Sequence, residues 1–129
     1  MTLTITDETF TGKVLHKISL NFEKELVTIE QIITQRVIKE VADYNTKLPE
    51  YFNGLIVPTH AEKSLNGYKM KDRKAIDAEK QVYIALDAFQ KNGFFVLVDN
   101  HQAETLKEEV LLTSLTQLSF VKLTPLVGG

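Results

Sequence analysis

"VTIEQIITQRVIKEVADYN", residues 27–45, is the stretch on which the fold turns. Ile29, Ile32, Ile33, Val37, Val41 and Tyr44 recur at three- and four-residue intervals, which gathers them into one apolar stripe on an α-helix. Thr28 can cap this helix, and Gln31, three residues on, can close a capping box. Val27 and Ile32 are spaced to staple across the same cap. Lys39, Glu40 and Asp43 are read as lying off the stripe. The pattern predicts a long helix ending near Asn45, before Pro49.

On the amino-terminal side the period changes from helical to two. In "TLTIT" Leu3 and Ile5 alternate with threonines, and in "VLHKISLNF" Val14, Ile18, Leu20 and Phe22 share a face. "DETFTGK", with Gly12, supplies turn chemistry between them. The first 22 residues therefore read as a β-hairpin.

On the carboxyl-terminal side the pattern is punctuated by Pro49, Gly54, Pro58 and Gly67. Thr59 and Glu62 offer a capping box for a short helix over "HAEKSL", closed by Asn66-Gly67. Asp77 caps a further helix, "AEKQVYIALDAFQKN", with Ala78, Val82, Ala85, Leu86 and Phe89 inward and Gly93 just past its end. "FFVLV", residues 94–98, reads as a short buried strand, "DN" at 99–100 as a turn, and "HQAETLKEEV" as a loop or edge segment. The last strand is centred on residues 117–124. Strands flanking one long helix predict an α+β domain with a mixed sheet covered by that helix. The first and last strands can pair in parallel through a right-handed crossover. That arrangement resembles the β-grasp.

The 129 residues suit a single domain, 1–129, able to bury a core without disulfides or metals. Residues 46–93 read as an insertion and 125–129 as a flexible tail. A net charge of −2 gives no field that would steer the chain to nucleic acid or an anionic membrane. There are no cysteines, so disulfides, thiolate metal sites and a cysteine nucleophile are excluded in this chain. "MTLTITDETF" lacks the basic and apolar blocks of a signal peptide, and "FFVLV" is far too short to cross a bilayer. A cytoplasmic location is expected.

The sequence closes on "LSFVKLTPLVGG", residues 118–129. A carboxylate is a poor acyl donor until activated, and an enzyme that activates a chain end must draw it into a narrow site. Glycine passes where side chains clash. Two glycines offer little binding energy, but Leu123, Leu126 and Val127 can supply it. A terminal glycine pair arises by chance in about one chain in 200. Following a strand, with Pro125 as a rigid stop, it carries more weight.

This segment resembles the end of the small sulfur carriers, the molybdopterin synthase small subunit and the thiamine-pathway carrier, within the ubiquitin-like family. "FFVLVDNHQAETLKEEVLLTSLTQLSF" is similar to their succession of short strand, turn, polar loop and final strand, and "VTIEQIITQRV" to the helix after their hairpin. The resemblance covers residues 1–45 and 94–129; residues 46–93 have no counterpart in those shorter proteins, which points to a longer, bacterial-type relative. It implies that the carboxylate of Gly129 is adenylated by a partner enzyme that uses ATP, while Gly128 lends access. The acyl group then becomes a thiocarboxylate or joins an amine. The chain is then a substrate rather than an enzyme and binds no cofactor itself. Its partners are the activating enzyme with a sulfur donor, an acceptor protein or a tail-processing protease. Val121, Leu123, Pro125, Leu126 and Val127 are the expected partner-binding residues. The alternative is a β-grasp interaction module that is never conjugated and uses the 46–93 insertion as its partner surface.

Other candidates are weaker. His16, His60 and His101 lack ligand spacing, so no metal is expected. "KMKDRK", 69–74, reads as a solvated loop diluted by Asp77 and Glu79. Glu104, Glu108 and Glu109 lack a partner base, and no "GxSxG" or phosphate-cradling loop occurs. In the last strand Leu118, Phe120 and Lys122 share one face and Val121 and Leu123 the other. Lys122 suggests that the first face opens to water near its end. The second face is either a docking patch or covered by the insertion.

Overall fold

The computed structural model describes residues 1–47, 51–52, 54–56, 61–64, 67–70 and 75–122. Strands β1 (Thr2–Thr9) and β2 (Val14–Asn21) lead through β3 (Leu26–Thr28) into helix α1 (Ile29–Lys47). The middle of the chain carries β4 (Tyr51–Phe52), β5 (Ala61–Ser64), β6 (Gly67–Met70) and helix α2 (Ala78–Gln90). Strands β7 (Phe94–Val98), β8 (His101–Gln102), β9 (Glu109–Leu111) and β10 (Leu118–Lys122) follow. The fold is α+β. A mixed five-stranded sheet runs in the order β2-β1-β10-β7-β8, with β1 and β10 parallel at its centre and the other pairs antiparallel. This order is compatible with the expected β-grasp.

Alternation sets the faces of β1: Leu3, Ile5 and Asp7 are buried, while Thr2 and Thr4 are exposed. The hairpin closes at Gly12, whose φ of 92° favours glycine, and whose amide donates to the Thr9 carbonyl at 2.9 Å. A bulge shifts the register between Asp7 and Glu8, so that Asp7 faces His16 but Glu8 faces Val14. One extra residue turns a strand over. Val14, expected inward with Ile18 and Leu20, is accordingly 48% exposed.

The cap of α1 forms as its sequence predicts. The Gln31 amide donates to Thr28 Oγ1 at 3.1 Å, and the Thr28 amide donates to Gln31 Oε1 at 2.8 Å. The amides of Ile29 and Glu30 donate to the carbonyls of Glu108 and Leu106, each at 3.0 Å. These bonds satisfy the first-turn donors that a helix cannot satisfy itself. They adjoin a two-stranded antiparallel sheet of β3 and β9 that the sequence pattern does not announce. All six residues of the apolar stripe are buried, and the helix runs two residues beyond the expected end.

Helix α2 packs on α1. Asp77 caps it by accepting from the Glu79 amide at 3.0 Å. At its far end the left-handed residue is Asn92, with φ 61°, one position before the expected Gly93. Gly93 serves a different purpose: its amide donates to the Ala88 carbonyl at 2.7 Å, and a Cβ there would lie 3.1 Å from that oxygen. Asp99 and Asn100, both at positive φ, form the expected turn between β7 and β8.

A second expectation, besides that for Val14, is overturned. Residues within "HAEKSL" form strand β5, not a short helix; Ala61 to Ser64 pair antiparallel with Met70 to Gly67, and β4 pairs on the other side of β6. A one-turn helix closes too few hydrogen bonds to offset its nucleation, whereas a hairpin partner supplies a ladder at once. The proposed cap Thr59 and stop Asn66 lie outside the described residues. The hydrophobic core joins the inward residues of the sheet to the α1 stripe, to Ala85 and Phe89 of α2, and to Leu55 and Ile56.

Candidate functional site

The expected site begins where β10 ends. Gly128 and Gly129, with Leu123, Pro125, Leu126 and Val127, lie outside the described residues. What the structure describes is the base from which that segment continues. Lys122, the last residue of β10, pairs with Thr9 of β1 on one side and Phe94 of β7 on the other, so the chain leaves from the middle of the sheet. Val121 is 9% exposed. Its cross-strand neighbours are Glu8 and Phe95, and Phe95, Leu97 and Ser119 on the same face are half-buried.

The opposite face of β10 carries a buried polar cluster. Phe120 is stacked on Phe94 with ring centroids 5.7 Å apart, and the Arg36 guanidinium lies 4.5 Å above the Phe120 ring. That guanidinium binds Asp7 of β1 through both carboxylate oxygens. It also binds Glu40, one turn further along α1, from Nε at 2.9 Å and from the second terminal nitrogen at 2.7 Å. The Glu40 carboxylate accepts from the Leu55 amide at 3.0 and 3.1 Å and from the Ile56 amide at 3.1 Å. Lys122 donates from Nζ to the Gly54 carbonyl. Buried charges are tolerated when paired and hydrogen-bonded, and Asp7, Arg36 and Glu40 meet both conditions, while Lys122 is shown with a carbonyl partner.

The electrostatics follow from this packing. Burial pulls the Arg36 pKa down, but its hydrogen bonds to Asp7 and the charges of Glu40 and Asp7 outweigh it and leave the pKa raised. For Lys122 burial prevails and lowers the ammonium pKa; Asp7 opposes this, Arg36 adds to it, and Glu40 opposes it again.

One sequence reading of this region needs correction. Glu40 does not lie off the helix stripe; it is buried. Residues 33, 36, 37, 40, 41 and 44 follow the three- and four-residue spacing, so Arg36 and Glu40 belong to the stripe by position, and only their polarity concealed it. Asp7 likewise continues the alternation of Leu3 and Ile5. The face of β10 that carries Lys122 is half-buried at that residue, whose ammonium donates to the Gly54 carbonyl.

The remaining candidates are dispersed. His16 is half-buried opposite Asp7, His101 is exposed, and His60 lies outside the described residues. Among the described residues no group of three or more His, Cys, Asp or Glu is arranged to hold a metal ion, and no helix is long and apolar enough to cross a membrane. Of "KMKDRK", residues 71–74 lie outside the described residues. Glu108 accepts from the Glu104 amide at 3.0 Å and so closes its own loop. Comparison with known protein families, with curated proteins and with solved structures finds no match to this chain.

Proposed function

We propose that this chain is a ubiquitin-like carrier or modifier of the β-grasp type, whose Gly129 carboxylate is activated by a separate enzyme. The observation that carries the reading is the sheet order β2-β1-β10-β7-β8, with parallel β1 and β10 at its centre. A chain that continues from the central strand is anchored on both sides, so residues 123–129 start from a rigid base. In the proposed reaction a Gly129 carboxylate oxygen attacks the α-phosphorus of ATP. The bond to the leaving pyrophosphate breaks and an acyl-adenylate forms. A sulfur or amine nucleophile then displaces AMP. The reading requires Gly129 to carry a free carboxylate in the cell, by synthesis or by cleavage.

The test is ATP–pyrophosphate exchange by activating enzymes of the source organism, with the full chain and with the chain ending at Val127. The reading expects exchange with the first and none with the second. Equal exchange with both, or none with any activating enzyme, rejects it.

A second reading is favoured by helix α2. Tyr83 and Ile84 are 74% and 47% exposed, and Ile84 borders a cavity of about 150 Å³ lined by Leu55, Ile56, Ala85 and Phe94. An interaction module would use this surface and keep its partner after loss of Gly128 and Gly129.

A further inference from the structure

The five-stranded sheet ends on one side at β2, and among the described residues nothing pairs with the outer edge of that strand. The register fixes which backbone groups are left over. Met1 and Phe22 exchange both hydrogen bonds: the Phe22 amide donates to the Met1 carbonyl at 2.7 Å, and the Met1 ammonium donates to the Phe22 carbonyl at 3.1 Å. Bonded and non-bonded pairs alternate along an antiparallel ladder. Leu20, Ile18 and His16 therefore turn their backbone groups to β1, while Asn21, Ser19 and Lys17 turn theirs outward. The Asn21 carbonyl agrees with this direction, since it accepts from Gln35 Nε2 of α1. Lys17 and Ser19 are exposed, and each presents an amide and a carbonyl to the outside. The opposite edge of the sheet is blunted, because β8 has two residues, whereas β2 has eight.

We propose that the β2 edge pairs antiparallel with the β2 edge of a second copy of this chain. Outward groups must meet outward groups, which leaves few registers for a two-fold arrangement. An axis at Lys17 sets two lysines face to face. An axis at Ser19 calls on the Asn21 carbonyl, which Gln35 already holds. An axis at Ile18 avoids both difficulties. Lys17 of each copy then lies opposite Ser19 of the other, and their amides and carbonyls close a ladder on both sides of the axis. A lysine on an edge strand ordinarily guards against such pairing; in this register it meets a serine and no like charge. The axis stands normal to the sheet, so two five-stranded sheets become one of ten strands with both α1 helices on the same side. On that side a groove of about 540 Å³, bordered by Gln35 and Ile38, lies next to its counterpart, and Ile38, 49% exposed, gives it apolar surface. A single strand pair falls in the small, transient class of interface, below about 1,200 Å², so the dimer forms and dissociates with concentration. The pairing does not draw on the carrier reading, and it leaves β10 at the sheet centre untouched.

The experiment is sedimentation equilibrium on the full chain from micromolar to millimolar concentration, for wild type and Ser19→Pro. Proline suits this position, because the amide it removes faces away from β1 and the β1–β2 ladder is kept. The wild-type mass should climb towards twice the monomer value. Ser19→Pro removes half of the bonds between Lys17 and Ser19 and should raise the dissociation constant about tenfold or more. The register is read separately by cross-linking, for which a chain without cysteine is suited. An equimolar mixture of Lys17→Cys and Ser19→Cys should form the mixed disulfide faster than either variant forms its own, because a bonded cross-strand pair holds its Cα atoms about 5.5 Å apart, within disulfide reach. A wild-type mass that stays monomeric throughout overturns the proposal and leaves the edge to a strand of another protein. A dimer indifferent to Ser19→Pro, or a mixed disulfide that forms no faster, overturns it as well. If Ser19→Pro fails to fold, the wild-type mass and the mixed disulfide decide by the same criteria.

Discussion

Asp7 and Arg36 are joined by a two-pronged ion pair in which both residues are 0% exposed. The pair links strand β1, next to the central strand β10, to the long helix α1 at the point where Phe120 passes beneath the guanidinium. Removing one partner of a buried pair leaves the other charge without compensation, at a cost of about 3–5 kcal/mol. Arg36→Met exposes two carboxylates to that fate, Asp7 and Glu40. Urea unfolding should report a loss of at least about 3 kcal/mol for this variant. A loss comparable to that of an ordinary surface substitution contradicts the role given to the cluster.

The cap of α1 offers a smaller and separable effect. Thr28 and Gln31 satisfy each other's amides, and among the described residues no other side chain is bonded to either amide. Thr28→Ala should lower stability by about 1 kcal/mol, measured by the same unfolding titration. Gln31→Ala should lower it less, because the Thr28 oxygen remains to receive the amide at position 31.

At the end of α2 the left-handed residue is Asn92. Asn92→Gly should leave stability nearly unchanged or slightly raised, while Asn92→Ala should cost about 1 kcal/mol, since a Cβ without a local polar bond is disfavoured at positive φ. Gly93→Ala should also destabilise, for a different reason, because its Cβ would press on the Ala88 carbonyl. Thermal unfolding of the three variants orders them.

Lys122 makes stability depend on pH in a definite direction. Its folded pKa is lowered below the ordinary 10.5. Between the folded value and 10.5 the unfolded chain holds a proton that the folded chain has released, so unfolding takes up protons and stability rises with pH. Below that interval both states are charged, and the buried ammonium weighs against folding in full. The unfolding free energy of wild type minus that of Lys122→Met should therefore climb as pH approaches 10.5. Other lysines and tyrosines titrate in both proteins and largely cancel. A flat or falling difference contradicts the assignment.

The fold was legible where local pattern and tertiary structure agree. The α1 stripe, its capping box, the hairpin around Gly12 and the Asp77 cap each state their structure within a few residues. The β5–β6 hairpin was not legible, because the decision between a one-turn helix and a paired strand lies in a partner several residues away. The β3–β9 pair joins residues more than 80 positions apart and leaves no local period. The polar cluster was hidden by chemistry more than by spacing. Arg36 and Glu40 sit at stripe positions, but a charged side chain there is read as solvent-facing unless its buried partner, here Asp7 across the core, is known.

The most direct test of the central claim is the intact mass of the protein recovered from its own cells. The carrier account predicts a chain ending at Gly129 in which one carboxylate oxygen is replaced by sulfur, or a chain joined through Gly129 to an amine of another protein. A population that ends at an unmodified residue under every growth condition, or that continues uncleaved past Gly129, contradicts it.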